Sequence, residues 1–210
     1  MTKVFNFSPG PSKLPQPVID IVEKSVNVYK NTGKSVLEIS HRSNEFADIL
    51  NEIQINFSKL FNLPENVNVL LLQGGATFQN SFIPMNVSKN KTLGCFVTGT
   101  WGNKTSEDFT KIFDNLEIID ARNQDLTKYV GGDFDGFQNI NFLHMTSNET
   151  IEGVQFKDFN NLNHDNLIID MSSDLGSYSF NFDNLSYVYA GAQKNMGIPG
   201  VTICLVKDDF

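Results

Sequence analysis

Lys194 lies in the run SYVYAGAQKNMGIPG, Ser186 to Gly200, where a β-prone segment (Tyr187, Val188, Tyr189) gives way to small residues. Ala190, Gly191 and Ala192 on one side, and Gly197, Pro199 and Gly200 on the other, leave room for a flat ligand to approach the amine. A lysine in such a place can condense, as the neutral amine, with a carbonyl to give a Schiff base. When the carbonyl is carried on a pyridine ring, a carboxylate is needed elsewhere to keep the ring nitrogen protonated. Asp170 fits that role, 24 residues upstream in LIIDMSSD, Leu167 to Asp174. An apolar β run ending in an acid puts Asp170 at the C-terminal edge of a sheet, where open α/β folds bind ligands. A lone lysine in a glycine-rich loop is usually a solvated surface residue. The pairing with Asp170 is what points to pyridoxal phosphate.

Four further stretches carry groups suited to such a ligand. VNVLLLQGGATFQNSF, Val67 to Phe82, reads as a strand, a Gly74-Gly75 turn and a helix starting near Ala76 or Thr77. Free N–H groups and the positive dipole end of that helix, with the Thr77 hydroxyl, can hold a phosphate, although a plain tight βα turn has the same pattern. No GxGxxG follows, which disfavours a dinucleotide site. LGCFVTGTWGNK, Leu93 to Lys104, repeats the strand, turn and helix and sets Trp101 at the turn, as a stacking surface for a planar cofactor or as a lid on the core. Thr150, in SNETIEG, follows a strand and faces the same edge. His41 and Arg42 precede a helix, placed either for an anion or, for Arg42, for a surface ion pair with Glu38 or Glu45.

The elements that must position these groups follow from hydrophobic periodicity. FNFSPGPSKLPQPV is an extended arm, too rich in proline and glycine for a helix or strand. Val18, Ile21, Val22, Ser25 and Tyr29 keep helical spacing up to a stop near Asn31-Thr32-Gly33, and Phe46, Ile49, Leu50, Ile53, Phe57 and Leu60 form a second amphipathic helix capped by Ser43 or Asn44. GKS at Gly33 to Ser35 is no P-loop, because Val28 stands where that motif needs glycine. Strands at Leu116–Asp120, Ile140–Met145, Leu167–Met171, Ser186–Ala190 and Val201–Val206 bring the total to about seven. The expected fold is α/β, a mostly parallel (mixed) seven-stranded sheet with helices on both faces. Val130 to Gly136 is the one stretch hinting at a mobile loop.

Composition narrows the class. A chain of 210 residues with 40% hydrophobic content can bury one sizeable core. A formal net charge of −8 with no basic stripe argues against nucleic acid. The longest apolar runs are too short to cross a bilayer and MTKVFNFSPGP has no signal-peptide core, so the cytoplasm is expected. Cys95 and Cys204 have no CxxC or histidine spacing and read as buried thiols; His41, His144 and His164 show no ligand spacing either, so no metal is expected.

In order, the segments FNFSPGPSKLP, SHRS, QGGATFQ, GTWGNK, SNETIEG, DMSSD and AGAQKNMGIPG resemble the phosphoserine aminotransferases, class-V enzymes of the aspartate aminotransferase superfamily that depend on pyridoxal 5'-phosphate. The resemblance spans essentially the whole chain. It implies Lys194 as the Schiff-base lysine and proton shuttle, Asp170 on the pyridinium nitrogen and Trp101 stacked on the ring. It also implies Ala76, Thr77 and Gln193 at the phosphate, Thr150 as a hydroxyl contact, and His41 and Arg42 at the substrate anion. The implied reaction moves an amino group from glutamate to 3-phosphohydroxypyruvate, giving O-phospho-L-serine and 2-oxoglutarate in L-serine biosynthesis, in a homodimer. Residues 1–15 are then the arm and 16–210 the cofactor-binding large domain, with the family's C-terminal small domain absent after Phe210. A non-catalytic remnant keeping the fold and dimer surface, or another class-V enzyme, is the alternative.

Overall fold

Alternation of apolar runs with small-residue turns builds a sheet whose strand ends converge on one edge. In a computed structural model the described residues are 4–129 and 135–210, so residues 130–134 of the expected Val130–Gly136 loop lie outside them. The chain divides into two units, Met1–Asn62 and Leu63–Phe210.

In the first unit residues 4–15 form neither helix nor strand. Helix α1 (Gln16–Asn27) starts with Pro17 in its first turn, where a missing N–H costs nothing. It ends ahead of the expected stop because Val28 turns extended, at φ −148°, while its N–H closes the last turn on Lys24 O. A 3-10 turn, Val36–Glu38, follows inside a capping box: Leu37 N–H donates to Ser35 Oγ at 3.1 Å and Ser35 N–H to Glu38 Oε2 at 3.0 Å. Helix α2 (Asn44–Phe61) is capped by Ser43, one of the two expected residues, and closed by Asn62 in the left-handed conformation. Ile21 and Val22 of α1 face Ile49 and Ile53 of α2 across an apolar groove.

The second unit contains β1 (Val67–Gln73), α3 (Gln79–Asn86), β2 (Leu93–Val97), α4 (Thr100–Phe109), β3 (Leu116–Asp120), β4 (Phe142–Thr146), the hairpin β5 (Asn148–Glu149) and β6 (Val154–Gln155), β7 (Leu167–Asp170), β8 (Leu185–Gly191) and β9 (Val201–Lys207). Its main sheet has seven strands in the order β1-β9-β8-β7-β4-β2-β3. Only β9 runs against the rest, pairing antiparallel with β1 and β8. This is the mostly parallel, mixed sheet expected. The six co-directional strands therefore point their C-terminal ends to one edge. Central strands buried on both faces read as near-continuous apolar runs, as LIID and LSYVYAG do. On one face Cys95, Val97, Ile168, Tyr187 and Tyr189 pack with Phe109 of α4 and Phe113. On the other, Phe96 meets Tyr129 and Phe137 from short 3-10 turns, with ring centroids 4.8 and 5.5 Å away, so helical segments cover both faces.

A polar line crosses the first of these cores. His144 Nε2 lies 2.9 Å from Tyr189 OH and His144 Nδ1 lies 3.8 Å from Cys95 Sγ. Both cysteines are buried free thiols, as expected, and burial pushes Cys204 up to about 11. His144 is fully buried, and that burial lowers its pKa from 6.5 to about 3. The unfolded imidazole takes up a proton near 6.5 while the folded one refuses it until about 3, so His144's contribution to stability is complete above 6.5 and is lost as the pH falls through that window. The expected slope is up to about 1.4 kcal/mol per pH unit. Urea midpoints measured from pH 7 to 4 check this. A His144→Gln variant, which keeps a partner for Tyr189 but cannot charge, should show a flatter acid limb; an unchanged limb removes His144 as its source.

Candidate functional site

Each group singled out in the second unit belongs to a strand end on the shared edge. Asp170 is the last residue of β7, in register with Thr146 of β4 and Tyr189 of β8. Lys194 follows β8 in the turn that leads into β9, and this turn is pinned: Asn195 Nδ2 donates to Leu175 O at 3.2 Å and Gly191 N–H to Ser172 Oγ at 3.1 Å. Ala76 and Thr77 follow β1 through Gly74, whose φ of +90° suits glycine and where a Cβ would run into the Phe78 ring. Trp101 opens α4 after β2.

These ends enclose one cleft of about 200 Å³, lined by Ala76, Thr77, Trp101, Asp170, Gln193 and Lys194. Asn80, Lys104, Thr105, Thr146, Asn148, Ser172 and Ser173 complete the wall with Gly75. These polar residues escape sequence reading because they are common types with no distinctive spacing. The Lys194 ammonium lies 5.8 Å from the centroid of the Trp101 ring, within cation–π range. Asp170 accepts a hydrogen bond from Ser172 N–H at 2.8 Å, and burial nevertheless raises its pKa above the ordinary carboxylate value. Two buried acceptors, Gln193 Oε1 and Thr146 Oγ1, have no hydrogen-bond partner. Both belong to residues of the cleft wall, and buried polar atoms normally find partners, so the wall keeps unspent hydrogen-bonding capacity among the described residues.

The two helix starts at the cleft differ. The first turn at Ala76–Phe78 carries no side-chain cap. That of α4 is capped from outside the helix: Glu149 accepts from Trp101 N–H at 2.9 Å and Gly102 N–H at 2.7 Å, and Glu152 accepts from Thr100 N–H at 2.9 Å. An anionic ligand therefore finds open donors at the Ala76 end and carboxylates at the other. Burial raises the Glu149 pKa, while the two N–H groups pull it down. Glu149 and Glu152 carry no sequence signal, since their partners lie about 50 residues upstream.

Thr150 is not among the cleft-lining residues. Its hydroxyl accepts a hydrogen bond from Trp101 Nε1 at 3.0 Å, which leaves its own proton to donate elsewhere. His41 and Arg42 lie in the first unit, exposed in the turn before α2, where Arg42 N–H donates to Ser40 Oγ at 3.2 Å. Among the described residues Arg42 forms no ion pair with Glu38 or Glu45, and Glu38 is engaged by the Ser35 N–H.

A lysine, a half-buried acid and an indole line one cleft on this sheet, and residues 4–210 match the family model described as Aminotransferase class-V. The chain belongs to the class-V aminotransferase family. Among its class-V relatives, the phosphoserine aminotransferase of Bacillus cereus (strain ATCC 10987 / NRS 248) is 38% identical over 212 residues, covering 100% of this chain and 59% of the relative. The solved phosphoserine aminotransferase of Bacillus circulans subsp. alkalophilus superposes with a TM-score of 0.83 at 36% identity, over 97% of this chain and 57% of that one. The pyridoxal-phosphate-bound enzyme of Trichomonas vaginalis gives 0.87 at 28% identity, over 99% and 62%. The class-V fold is thus the fold of this chain, which spans a little under three fifths of the length of the curated relatives it matches.

Proposed function

We propose that this chain is the cofactor-binding large part of a phosphoserine aminotransferase, with pyridoxal 5'-phosphate in the cleft. The observation that carries the reading is the convergence of Lys194, Asp170 and Trp101 on one cleft beside an uncapped helix start at Ala76. The cofactor supplies an electron sink for a carbanion at the substrate α-carbon. Lys194 is the amine that holds it and the base that carries the α-proton. Asp170, with Ser172 N–H fixing one oxygen, keeps the ring nitrogen protonated. Trp101 covers the ring, with Thr150 on its indole N–H. Ala76 and Thr77, joined by the side-chain NH2 group of Gln193, receive the phosphate. His41 and Arg42 bind the substrate anion.

The substrates of this reading are glutamate and 3-phosphohydroxypyruvate, the pathway is L-serine biosynthesis and the compartment is the cytoplasm; no helix among the described residues is long and apolar enough to cross a membrane. The working state is a homodimer. Phe78, Phe82 and Met85 support it, because they form an exposed apolar stripe at helical spacing that a second copy would cover. Residues 16–210 act together as the large domain, with 1–15 as its arm.

The test is spectroscopic. With pyridoxal phosphate bound, glutamate and O-phospho-L-serine should each discharge the cofactor's visible band by donating their amino groups, and serine should do so far less. An Arg42→Ala variant is expected to keep the glutamate response and lose about tenfold or more in apparent affinity for phosphoserine, the cost of an anion contact. A band that neither amino acid changes counts against the assignment.

A further inference from the structure

Trp101 is the one tryptophan of the chain, and two consecutive residues of SNETIEG hold it at both ends. We propose that Glu149 is a positioning residue that fixes the pose of Trp101 against the cleft. Its carboxylate is bidentate, with Oε2 accepting from Trp101 N–H at 2.9 Å and Oε1 from Gly102 N–H at 2.7 Å. Such charge-assisted bonds are short and directional, and Glu149 is fully buried, so water does not compete for them. The glutamate is itself anchored: β5 pairs with β6, and Gly153 N–H donates to Glu149 O at 2.8 Å. Thr150, next in the chain, takes the indole Nε1–H at 3.0 Å, so the β5–β6 hairpin grips the tryptophan by its backbone and by its ring.

The fit leaves no slack. A Cβ on Gly99 would lie 2.6 Å from Glu149 Cγ and 2.6 Å from Glu152 Oε2. One on Gly102 would lie 3.1 Å from Glu149 Oε1. Glycine at 99 and 102 is what admits the carboxylate. Glu152 provides an internal contrast, because its carboxylate accepts from Thr100 N–H and Oγ1, one residue before the tryptophan. Both acids cap the same helix, but only Glu149 reaches the tryptophan.

The consequence for ligand binding rests on the pyridoxal-phosphate reading; the pose of Trp101 does not. The experiment therefore reads Trp101 fluorescence first in the ligand-free chain and then during titration with pyridoxal phosphate. Glu149→Gln, which sets an NH2 group against a backbone N–H, is expected to red-shift the emission and raise its quenching by acrylamide. It should weaken cofactor binding, read as quenching of Trp101, by about tenfold, the loss of one well-placed aromatic contact. Gly99→Ala should do the same with the carboxyl intact, and decides the matter if Glu149→Gln does not fold. Glu152→Gln should lower the thermal midpoint and leave the emission in place.

A folded Glu149→Gln or Gly99→Ala chain with the wild-type emission overturns the proposal, and so does a Glu152→Gln chain whose emission moves as far as that of Glu149→Gln. If pyridoxal phosphate does not quench the wild type, the cofactor reading fails, while the ligand-free comparison still decides for or against Glu149.

Discussion

A chain carrying Lys194→Ala is expected to bind pyridoxal phosphate without fixing it. After borohydride the wild type should keep a pyridoxyl label on Lys194, found by peptide mapping, whereas the variant should release all of it. Amino-group transfer should fall by about 10⁴-fold or more, since both the attachment and the proton transfer depend on one amine. The cleft contains its own competitor for this role. Lys104 also lines it, but its ammonium is held by Asp108 at 3.6 Å, one helical turn along α4. Lys194 instead sits 5.8 Å from the Trp101 ring centroid, where a planar ligand would lie. Trp101, Asp170 and the Ala76 turn remain in the variant, so reversible binding should persist. Lys194→Arg should behave like Lys194→Ala, because a guanidinium keeps the charge and cannot form the Schiff base. Label retained by Lys194→Ala at the wild-type level, or moved to Lys104, sinks the assignment.

Much of the site was legible because each of its principal groups follows a strand. Lys194, Asp170, Trp101 and the Ala76–Thr77 turn come after β8, β7, β2 and β1, and co-directional strands bring such ends together whatever their order along the sheet. What sequence reading missed depends on pairings across space. Glu149 meets the α4 start through a hairpin whose two-residue strands are too short to give a periodic signal, and the strand register, not any motif, joins Cys95 and His144, which pair across β2 and β4. Thr150 was expected as a cofactor contact and is found on the indole N–H of Trp101, a contact that requires the same hairpin. The end of α1 was misplaced for a local reason: Tyr29 continues the apolar spacing, but Val28 leaves helical geometry first. His41 and Arg42 lie in a different unit of the chain from the cleft, so their role rests on resemblance and on the exposure of both residues.

Asp170→Asn is expected to trade function for stability. With no cofactor bound, the carboxylate is held in a buried site that raises its pKa, so the charged form is disfavoured in the folded chain. For an acid whose folded pKa is raised, the favourable contribution is present at low pH and is lost as the pH climbs from the ordinary aspartate value through the raised one. Asparagine has the same shape, still accepts from Ser172 N–H, and never charges. The ligand-free variant should therefore be more stable than the wild type near neutral pH by about 1 kcal/mol, and the difference should vanish in acid. The cofactor reverses the balance, since a protonated ring nitrogen gives the carboxylate its counter-charge and an amide cannot do so. Pyridoxal phosphate should raise the denaturation midpoint of the wild type more than that of the variant, and transfer should drop by about 10²–10³-fold, the scale of losing one pre-aimed electrostatic partner. Borohydride labelling of Lys194 should survive, because attachment does not require the ring to be protonated. An Asp170→Asn chain that transfers amino groups at the wild-type rate would mean that Asp170 does not face the ring nitrogen, and one that gains nothing in ligand-free stability at neutral pH would mean that burial does not penalise the Asp170 charge.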